Sequence, residues 1–450
     1  MDAAALDHRT STHQDCVPPH LVDRLLDLGH ADLVRAQALA EDGDWFCARA
    51  WARRLAGRGR TDDALAVVAR YTATGWFTAA AEAARLLDAA GRGEEAVGLL
   101  LPFAADGEGS ALRELAPLLA RHGRAEEAYA LLVPHIADWY LAEPLADVAL
   151  VLGRGDEVAE LLAARIAPGR PCGRCGGPDC AGRGPEPFNA VNLIASIRDR
   201  QGRTEEALAV LHAHGPALVN NRDPLAELLV KHGRIDELRA YAADGEHPSA
   251  VHRLAEHLEE QGDVAGAVEL YRPHAEQDSG HARTLLAELL ARHGRGGEAI
   301  ELMRAHDTHD DHRLIVLCGL FAAEGRAEEG LAHLDALKSR RGEEEYELFR
   351  LRGPLLAACG RLDEAVVQIR AHPEGANWYA VEDLAHLLAG SGRPEEAAAL
   401  LEPDRLRHRQ ALAPLLLDLG RPQEAVTLLR TPLPEVPPPA PRGYSDRPPF

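Results

Sequence analysis

The sequence predicts an all-α fold, an α-solenoid in which about thirteen antiparallel helical pairs stack into a right-handed superhelix. Three observations predict it. A short pattern beginning with Gly and Arg returns about every 31 residues along the 450-residue chain. The apolar residues after each Gly follow the spacing of an amphipathic helix. Aromatic residues make up only 4% of the chain, so Ala, Leu and Val must form the core, and these residues suit closely packed helices.

The chain begins with a polar stretch that lacks apolar periodicity. Residues 1–19, which end at Val17-Pro18-Pro19, are expected to form a disordered N-terminal segment. A first helical pair follows and turns at Gly29. Its second helix, from Ala31, lacks the pair of Glu residues found later and is interpreted as an atypical terminal repeat. N-terminal repeats are predicted over 20–168.

The regular repeats are marked by glycines that mostly lie 29 to 32 residues apart. Eleven of these twelve glycines precede Arg, and the exception precedes Asp263. Wider gaps of 35 and 49 residues follow Gly325 and Gly153, and the larger gap indicates an insertion. The twelve positions are Gly59, Gly91, Gly123, Gly153, Gly202, Gly233, Gly262, Gly294, Gly325, Gly360, Gly392 and Gly420.

The residues after each glycine predict the second helix of a pair. Ala96, Leu99 and Leu100 give the spacing of one apolar helix face. Glu94 and Glu95 fall in the first turn, where acidic groups are stabilised by the helix dipole. The glycine itself suits the left-handed residue that ends the preceding helix. Each repeat is therefore predicted to be a helix, a tight Gly-Arg turn and a second helix.

The first helix of several pairs has a recurring start. Asp44, Asp138 and Asn377 are natural N-caps, and each precedes a Trp and a second aromatic residue. A related Gly-Trp-Phe start also occurs. The tryptophans at these starts are Trp45, Trp76, Trp139 and Trp378.

The Gly-Arg-x-Glu-Glu-Ala turn resembles the turn between the two helices of a tetratricopeptide repeat. The alanine five residues after the glycine, such as Ala96, matches the small residue at that family's helix crossing. The resemblance covers roughly residues 20–430, with a period of about 31 residues against the family's 34. It implies a solenoid that binds a protein or peptide, with the first helices on the concave face. By that resemblance, the four tryptophans are candidate partner contacts, and packing inside the core is their alternative use.

The long gap holds a Cys-, Gly- and Pro-rich insertion, predicted over 169–187. Cys172 and Cys175 are spaced as in a zinc knuckle, and Cys180 supplies a third thiolate. A structural zinc ion is therefore one hypothesis, although a closed site needs a fourth ligand. A reactive dithiol and a flexible insertion with incidental cysteines are the alternatives. No other cofactor is indicated.

The second block of repeats is predicted over 188–430, within the same solenoid. Residues 431–450 are rich in proline and are expected to form a disordered tail. No basic start followed by an apolar run, and no long apolar window, is found. Neither a signal peptide nor a membrane span is expected, and the cytoplasm is the default compartment.

The formal net charge of −22 disfavours binding to nucleic acid, because an acidic field repels phosphates. It fits a solubilising acidic surface or a basic partner. The eleven turn arginines could form an Arg–Glu ladder between repeats or a basic edge that binds an acidic partner. Histidines twelve residues after a repeat glycine, such as His274, are interpreted as packing residues, because Tyr71 fills the same position elsewhere.

The sequence therefore predicts a non-catalytic scaffold or adaptor for protein–protein interaction. No Walker, Rossmann, zincin or nucleophile-elbow motif is present. Two alternatives remain, a metal- or redox-responsive regulator that uses the cysteine insertion and a helical-repeat enzyme.

Overall fold

The structure is a computed structural model. It describes residues 2–105, 107–166, 187–215, 218, 222–243, 247–277, 281–304, 311–342 and 346–433.

The described residues are mostly helical and contain no β-strand. In chain order the helices are α1 (Ala3–Ser11), α2 (Pro19–Asp27), α3 (Ala31–Leu39), α4 (Trp45–Ala56), α5 (Thr61–Thr72), α6 (Phe77–Ala89), α7 (Gly93–Ala105), α8 (Gly109–Arg121), α9 (Ala125–Leu132), α10 (Trp139–Val151), α11 (Gly155–Ile166), α12 (Ala190–Arg200), α13 (Thr204–His214), α14 (Pro224–Lys231), α15 (Ile235–Ala243), α16 (Pro248–Glu260), α17 (Val264–Glu276), α18 (Ala282–Arg292), α19 (Gly296–Arg304), α20 (Asp311–Ala323), α21 (Ala327–Arg341), α22 (Tyr346–Phe349), α23 (Arg352–Ala358), α24 (Leu362–Ala371), α25 (Trp378–Gly390), α26 (Pro394–Leu401), α27 (Arg409–Asp418) and α28 (Pro422–Arg430).

Consecutive helices form pairs across the repeat glycines, which confirms the all-α helical-repeat prediction. The pairs begin with α2 and α3 around Gly29 and end with α27 and α28 around Gly420. First helices also contact the first helices of neighbouring pairs, as α14 does with α16. The chain divides into two compact units. Unit 1 contains Met1–Ala79 and His372–Phe450, and unit 2 contains Ala80–Ala371.

The repeat turn ends one helix and starts the next in a few residues. Gly91 has a φ of 76°, in the left-handed region that favours glycine. Its N–H donates to the Asp88 carbonyl at 2.9 Å, and the Arg92 N–H reaches back to the Leu87 carbonyl at 2.9 Å. The second hydrogen bond has the six-to-one spacing of a Schellman motif. The glycine is therefore required by the backbone.

Each of the eleven turn arginines pairs with the acidic residue three positions later. Arg92, for example, binds Glu95 with two guanidinium nitrogens, both at 2.7 Å. These hydrogen bonds hold the pKa of the Glu95 carboxyl below its usual range. The eleven pairs begin at Arg60, Arg92, Arg124, Arg154, Arg203, Arg234, Arg295, Arg326, Arg361, Arg393 and Arg421.

Several turn arginines in unit 2 also reach the preceding repeat. Arg124 contacts Glu94 at 3.0 Å, and Arg361 contacts Glu328 at 3.0 Å. Further links of this kind join Arg154 to Glu126, Arg203 to Asp156 and Arg234 to Glu205. This is the Arg–Glu ladder. Because acidic residues pair with these arginines, the turn edge does not present the unpaired positive charge that a basic binding edge would need.

The first residues of the chain differ from the sequence-based expectation. A disordered segment is expected over 1–19, but residues 3–11 form α1. The Asp2 side chain caps this helix by accepting a hydrogen bond from the Ala5 N–H at 2.8 Å, and Leu6 is 2% exposed. The N-cap and one buried leucine stabilise a helix that the apolar periodicity of the sequence does not predict.

The last described helix contacts the N-terminal part of unit 1. Arg430, at the end of α28, donates to the Asp15 carbonyl at 2.9 Å and to the Asp42 carbonyl at 2.6 Å. Its guanidinium also lies 3.8 Å from the carboxylate of Asp44, which is fully buried. A second link joins Arg24 to Asp418. Cationic side chains therefore tie the last helices to the first ones.

Two predicted segments lie largely or wholly outside the described residues. The insertion predicted over 169–187 is described only at Pro187, and the Pro-rich tail predicted over 431–450 is described only up to Leu433. Their boundaries remain predictions.

Candidate functional site

A groove in unit 2 separates two first helices, α16 and α18. Two adjoining cavities of about 570 and 500 Å³ lie along it. Both are lined by His252 of α16, Tyr271 of α17, and Leu285 and Glu288 of α18. We call this continuous surface the α16–α18 groove. The shared residues place its centre between consecutive repeats.

A chain of polar contacts crosses one wall of the groove. His252 Nδ1 lies 2.5 Å from the Tyr271 hydroxyl, and His252 Nε2 lies 3.3 Å from the Glu256 carboxylate. His252 and Glu256 are four residues apart and therefore share a helix face. Burial, together with the nearby Glu256 carboxylate, raises the pKa of Tyr271. The Tyr271 phenol therefore stays protonated, so it is a poor nucleophile, and its contact with His252 orients both side chains.

The opposite wall comes from one face of α18. Thr284 and Glu288 are also four residues apart, and both line the cavity of about 500 Å³. Thr284 is 3% exposed, and its Oγ1 makes no hydrogen bond within the part of the chain that the structure describes. Glu288 is half-buried and forms no ion pair with any described residue. Among the described residues, this wall therefore carries one hydroxyl without a hydrogen bond and one carboxylate without a direct ion pair.

The other carboxylates of the groove already have cationic partners. Glu259 binds Arg292 at 2.9 Å and His293 at 2.8 Å. The hydrogen bond from Arg292, with a further one from His293, holds the pKa of Glu259 below its usual range despite partial burial. Glu256 and Glu260 lie within 3.8 and 3.6 Å of Arg253. Glu288 differs from these carboxylates because it makes no ion pair within 4 Å of a described residue.

A second groove lies between the first helices α12 and α14. Its cavity, of about 530 Å³, is lined on α14 by Lys231 and Glu227 and on α12 by Asp199. Here the charges pair with each other: Lys231 binds Asp199 at 2.5 Å, and Arg222 contacts Glu227 at 3.4 Å. This groove also lies between the first helices of consecutive repeats, but these charged side chains already have partners within the protein.

The sequence singles out none of the polar residues that define the α16–α18 groove. His274 is expected to pack on an apolar face, but it is half-buried and lines the groove. The available signal is the four-residue spacing of His252 with Glu256 and of Thr284 with Glu288 on predicted first helices. That spacing alone does not tell which pair of helices leaves a cavity between them.

The four predicted tryptophan contacts occupy two kinds of environment. Trp45 and Trp76 are buried in unit 1, 3% and 4% exposed, and their ring centroids lie 4.9 Å apart. Trp139 and Trp378 are 54% and 50% exposed. Trp139 also lies against Phe188, with ring centroids 5.7 Å apart. The buried pair, Trp45 and Trp76, packs in the core. Partner contact stays a prediction, and only the exposed pair, Trp139 and Trp378, is accessible for it.

The cysteine hypothesis concerns residues outside the described chain. Cys172, Cys175 and Cys180 all lie in the stretch 167–186, so zinc binding there stays a prediction. Within the described residues, no group of three or more His, Cys, Asp or Glu side chains could hold a metal ion. The same residues include no helix long and apolar enough to cross a membrane.

Comparisons with known proteins show likeness at the level of architecture. No protein-family model and no curated protein sequence matches the chain. A structure of Naa15/Naa10 bound to HypK-THB is similar over 94% of this chain and 68% of that one, with 15% identity and a TM-score of 0.40. The pentatricopeptide repeat protein PPR10 from maize is similar over 90% and 60%, with 16% identity and a TM-score of 0.32.

A third similar structure is the APC/C hetero-tetramer Cut9-Hcn1, which matches 87% of this chain and 93% of that one at 14% identity and a TM-score of 0.24. Such low values carry no functional information. The chain's own helical pairs, glycine turns and first-helix contacts show the architecture directly. It is an all-α helical-repeat protein whose Gly-Arg turns resemble those of tetratricopeptide repeats.

Proposed function

We propose that this protein is a non-catalytic scaffold that binds a segment of a partner protein or peptide in the α16–α18 groove. The observation that carries the proposal is the groove itself, an open cleft between the first helices of consecutive repeats. Leu285 and the polar groups around it line both of its cavities. A few placed polar groups within a partly apolar cleft are typical of a recognition site.

The chemistry of the groove supports binding over catalysis. The protonated phenol of Tyr271 is a hydrogen-bond donor, and the His252 imidazole is already held between that phenol and a carboxylate. Acyl or phosphoryl transfer would need an activated nucleophile beside a base. A nucleic-acid ligand would need several unpaired Lys or Arg side chains along its phosphates. We therefore favour a protein segment.

Site-specific photo-crosslinking tests this proposal. The photoreactive amino acid p-benzoylphenylalanine is placed at position 252, where the His252 side chain is 40% exposed, in cells of the organism that makes the protein. The matched control position is 367, because Val367 is 66% exposed on α24, the second helix of its pair. We expect a protein adduct at position 252 and none at position 367. No adduct at 252, or equal yields at both positions, would overturn the proposal.

A further inference from the structure

We infer that the α16–α18 groove selects a partner segment that carries a lysine or arginine side chain, and that this cation pairs with Glu288. The inference rests on the proposed function, because it names the chemistry of the segment that the same groove binds. It rests on the charge of the groove and on two side chains of α18, Glu288 and Thr284.

The charge balance of the groove favours a cation. The cavity of about 570 Å³ is lined by four carboxylates, those of Glu256, Glu259, Glu260 and Glu288, against one guanidinium, that of Arg292. The chain as a whole carries a formal charge of −22. A cationic side chain is attracted to such a cleft, whereas a phosphate or an acidic side chain is repelled.

Glu288 is the carboxylate that a partner's cation can pair with. It lines both cavities, so a side chain that enters from either one reaches it. Glu259 has two cationic partners, and Arg253 serves both Glu256 and Glu260. Glu288 makes no ion pair within 4 Å among the described residues, and its nearest cationic influence is the Arg292 guanidinium, which Glu259 already holds at 2.9 Å. A half-buried carboxylate without a direct ion pair gains more from an incoming charge than one that must first give up such a pair.

Thr284 provides an independent indication that the groove takes a polar ligand. Its Oγ1 is buried and makes no hydrogen bond with the described residues, and a buried hydroxyl in that state costs free energy. Thr284 lies one helical turn before Glu288 on the face of α18 that lines the cavity. A segment held by Glu288 lies along the same face, and we expect one of its N–H groups to satisfy this hydroxyl.

The test begins with selection of a phage-displayed library of random twelve-residue peptides on the immobilised full chain. We expect the selected peptides to share a Lys or Arg at a fixed distance from an apolar residue. Binding of a selected synthetic peptide is then measured by calorimetry on the wild type and on Glu288→Gln. Removing the carboxylate should weaken binding about 10- to 100-fold, as for hydrogen bonds to charged groups.

A double-mutant cycle ties the loss to one pair of charges. Replacing the peptide's basic residue with norleucine should weaken binding to the wild type by a similar factor and cause little further loss on Glu288→Gln. Thr284→Val, which removes the hydroxyl and keeps the side-chain shape, should weaken the same peptide severalfold. Glu160→Gln is the matched control, because Glu160 is exposed on α11, away from the groove, and should leave binding unchanged.

The possible failures are distinguishable. If no peptide competes with crosslinking at position 252, the proposed binding function of the groove falls with the inference. If groove-binding peptides lack basic residues, or if the cycle shows less than about twofold coupling, only the inference falls. A fluorescent single-stranded 20-nucleotide RNA that binds in the groove, and binds more tightly to Glu288→Gln, would also overturn it.

Discussion

The ion network that joins the chain ends in unit 1 makes a quantitative prediction. The perturbation is Arg430→Met, which keeps the aliphatic length of the side chain and removes the guanidinium. The variant loses donors to the carbonyls of Asp15 and Asp42. It also removes a guanidinium from the buried carboxylate of Asp44, which keeps the N–H groups of Val17 and Cys47 as hydrogen-bond donors.

The magnitude follows from burial and distance. The Arg430 side chain is 10% exposed and Asp44 is 0% exposed, and breaking a buried pair by removing one partner costs about 3–5 kcal/mol. The separation of 3.8 Å is longer than a hydrogen bond, so we expect the lower end, about 3 kcal/mol. The ion pair with Asp42, whose side chain is 81% exposed, adds at most about 1 kcal/mol.

Urea unfolding followed by tryptophan fluorescence measures this loss. The signal reports mainly on unit 1, which contains Trp45, Trp51, Trp76 and Trp378, whereas Trp139 lies in unit 2. With a urea dependence of about 2 kcal/mol per M, the midpoint of the unit 1 transition should fall by about 1.5 M. Asp42→Ala, by contrast, should shift it by less than about 0.5 M.

The control is Arg35→Met, which removes an exposed guanidinium from α3 in the same unit. A surface change of this kind usually alters stability by no more than about 0.5 kcal/mol. If Arg430→Met shifts the midpoint no more than Arg35→Met does, the buried network does not hold the chain ends together, and our reasoning about Asp44 is wrong.

Three further predictions concern the repeats of unit 2. Gly93→Ala should destabilise by about 1–3 kcal/mol in thermal unfolding, because its Cβ would lie 2.1 Å from the His122 ring, whereas Gly98→Ala, with no heavy atom within 4 Å, should stabilise. Burial raises the pKa of Asp88, but hydrogen bonds from His122 and Arg121 outweigh it and hold the pKa below 3.8. The stabilisation is therefore present above pH 3.8 and lost below it, so Asp88→Asn should unfold more easily than wild type at neutral pH and match it in acid. Arg124→Ala should lower the Tm at low salt, with a smaller difference in about 1 M NaCl.

The repeat architecture is predictable because its determinants are local. The glycine turn, the acidic first turn and the apolar stripe all lie within about a dozen residues. A pattern of that length can be recognised in the sequence without knowing which helices pack against it. Asp44 and Asp138 are predicted N-caps, and the structure confirms both, since they accept hydrogen bonds from the N–H groups of Cys47 and Tyr140. Asn377 stands at the same position but makes no side-chain cap bond.

The candidate site and the joined chain ends are less predictable because they depend on distant residues. The sequence around Arg430 gives no indication that this residue contacts Asp15 and Asp42, which are 415 and 388 residues away in the chain. The groove depends on how α16, α17 and α18 pack together, and a local sequence pattern does not specify that packing. The two buried tryptophans of unit 1 and the two exposed ones share one sequence pattern, so their environments also come from tertiary packing.

The repeat divides into an edge that supports the fold and a face that is open to partners. At the turn edge, every Gly-Arg arginine is paired with the acidic residue of its own second helix. These repeated charges therefore form ion pairs within the protein. On the face formed by the first helices, the two grooves differ: the charges of Lys231 and Asp199 satisfy each other, whereas Glu288 makes no ion pair within 4 Å of a described residue. A repeat whose charges are satisfied gains little from a ligand. We therefore expect a partner to bind where a carboxylate of the first helices lacks an ion pair, in the α16–α18 groove and not in the α12–α14 groove.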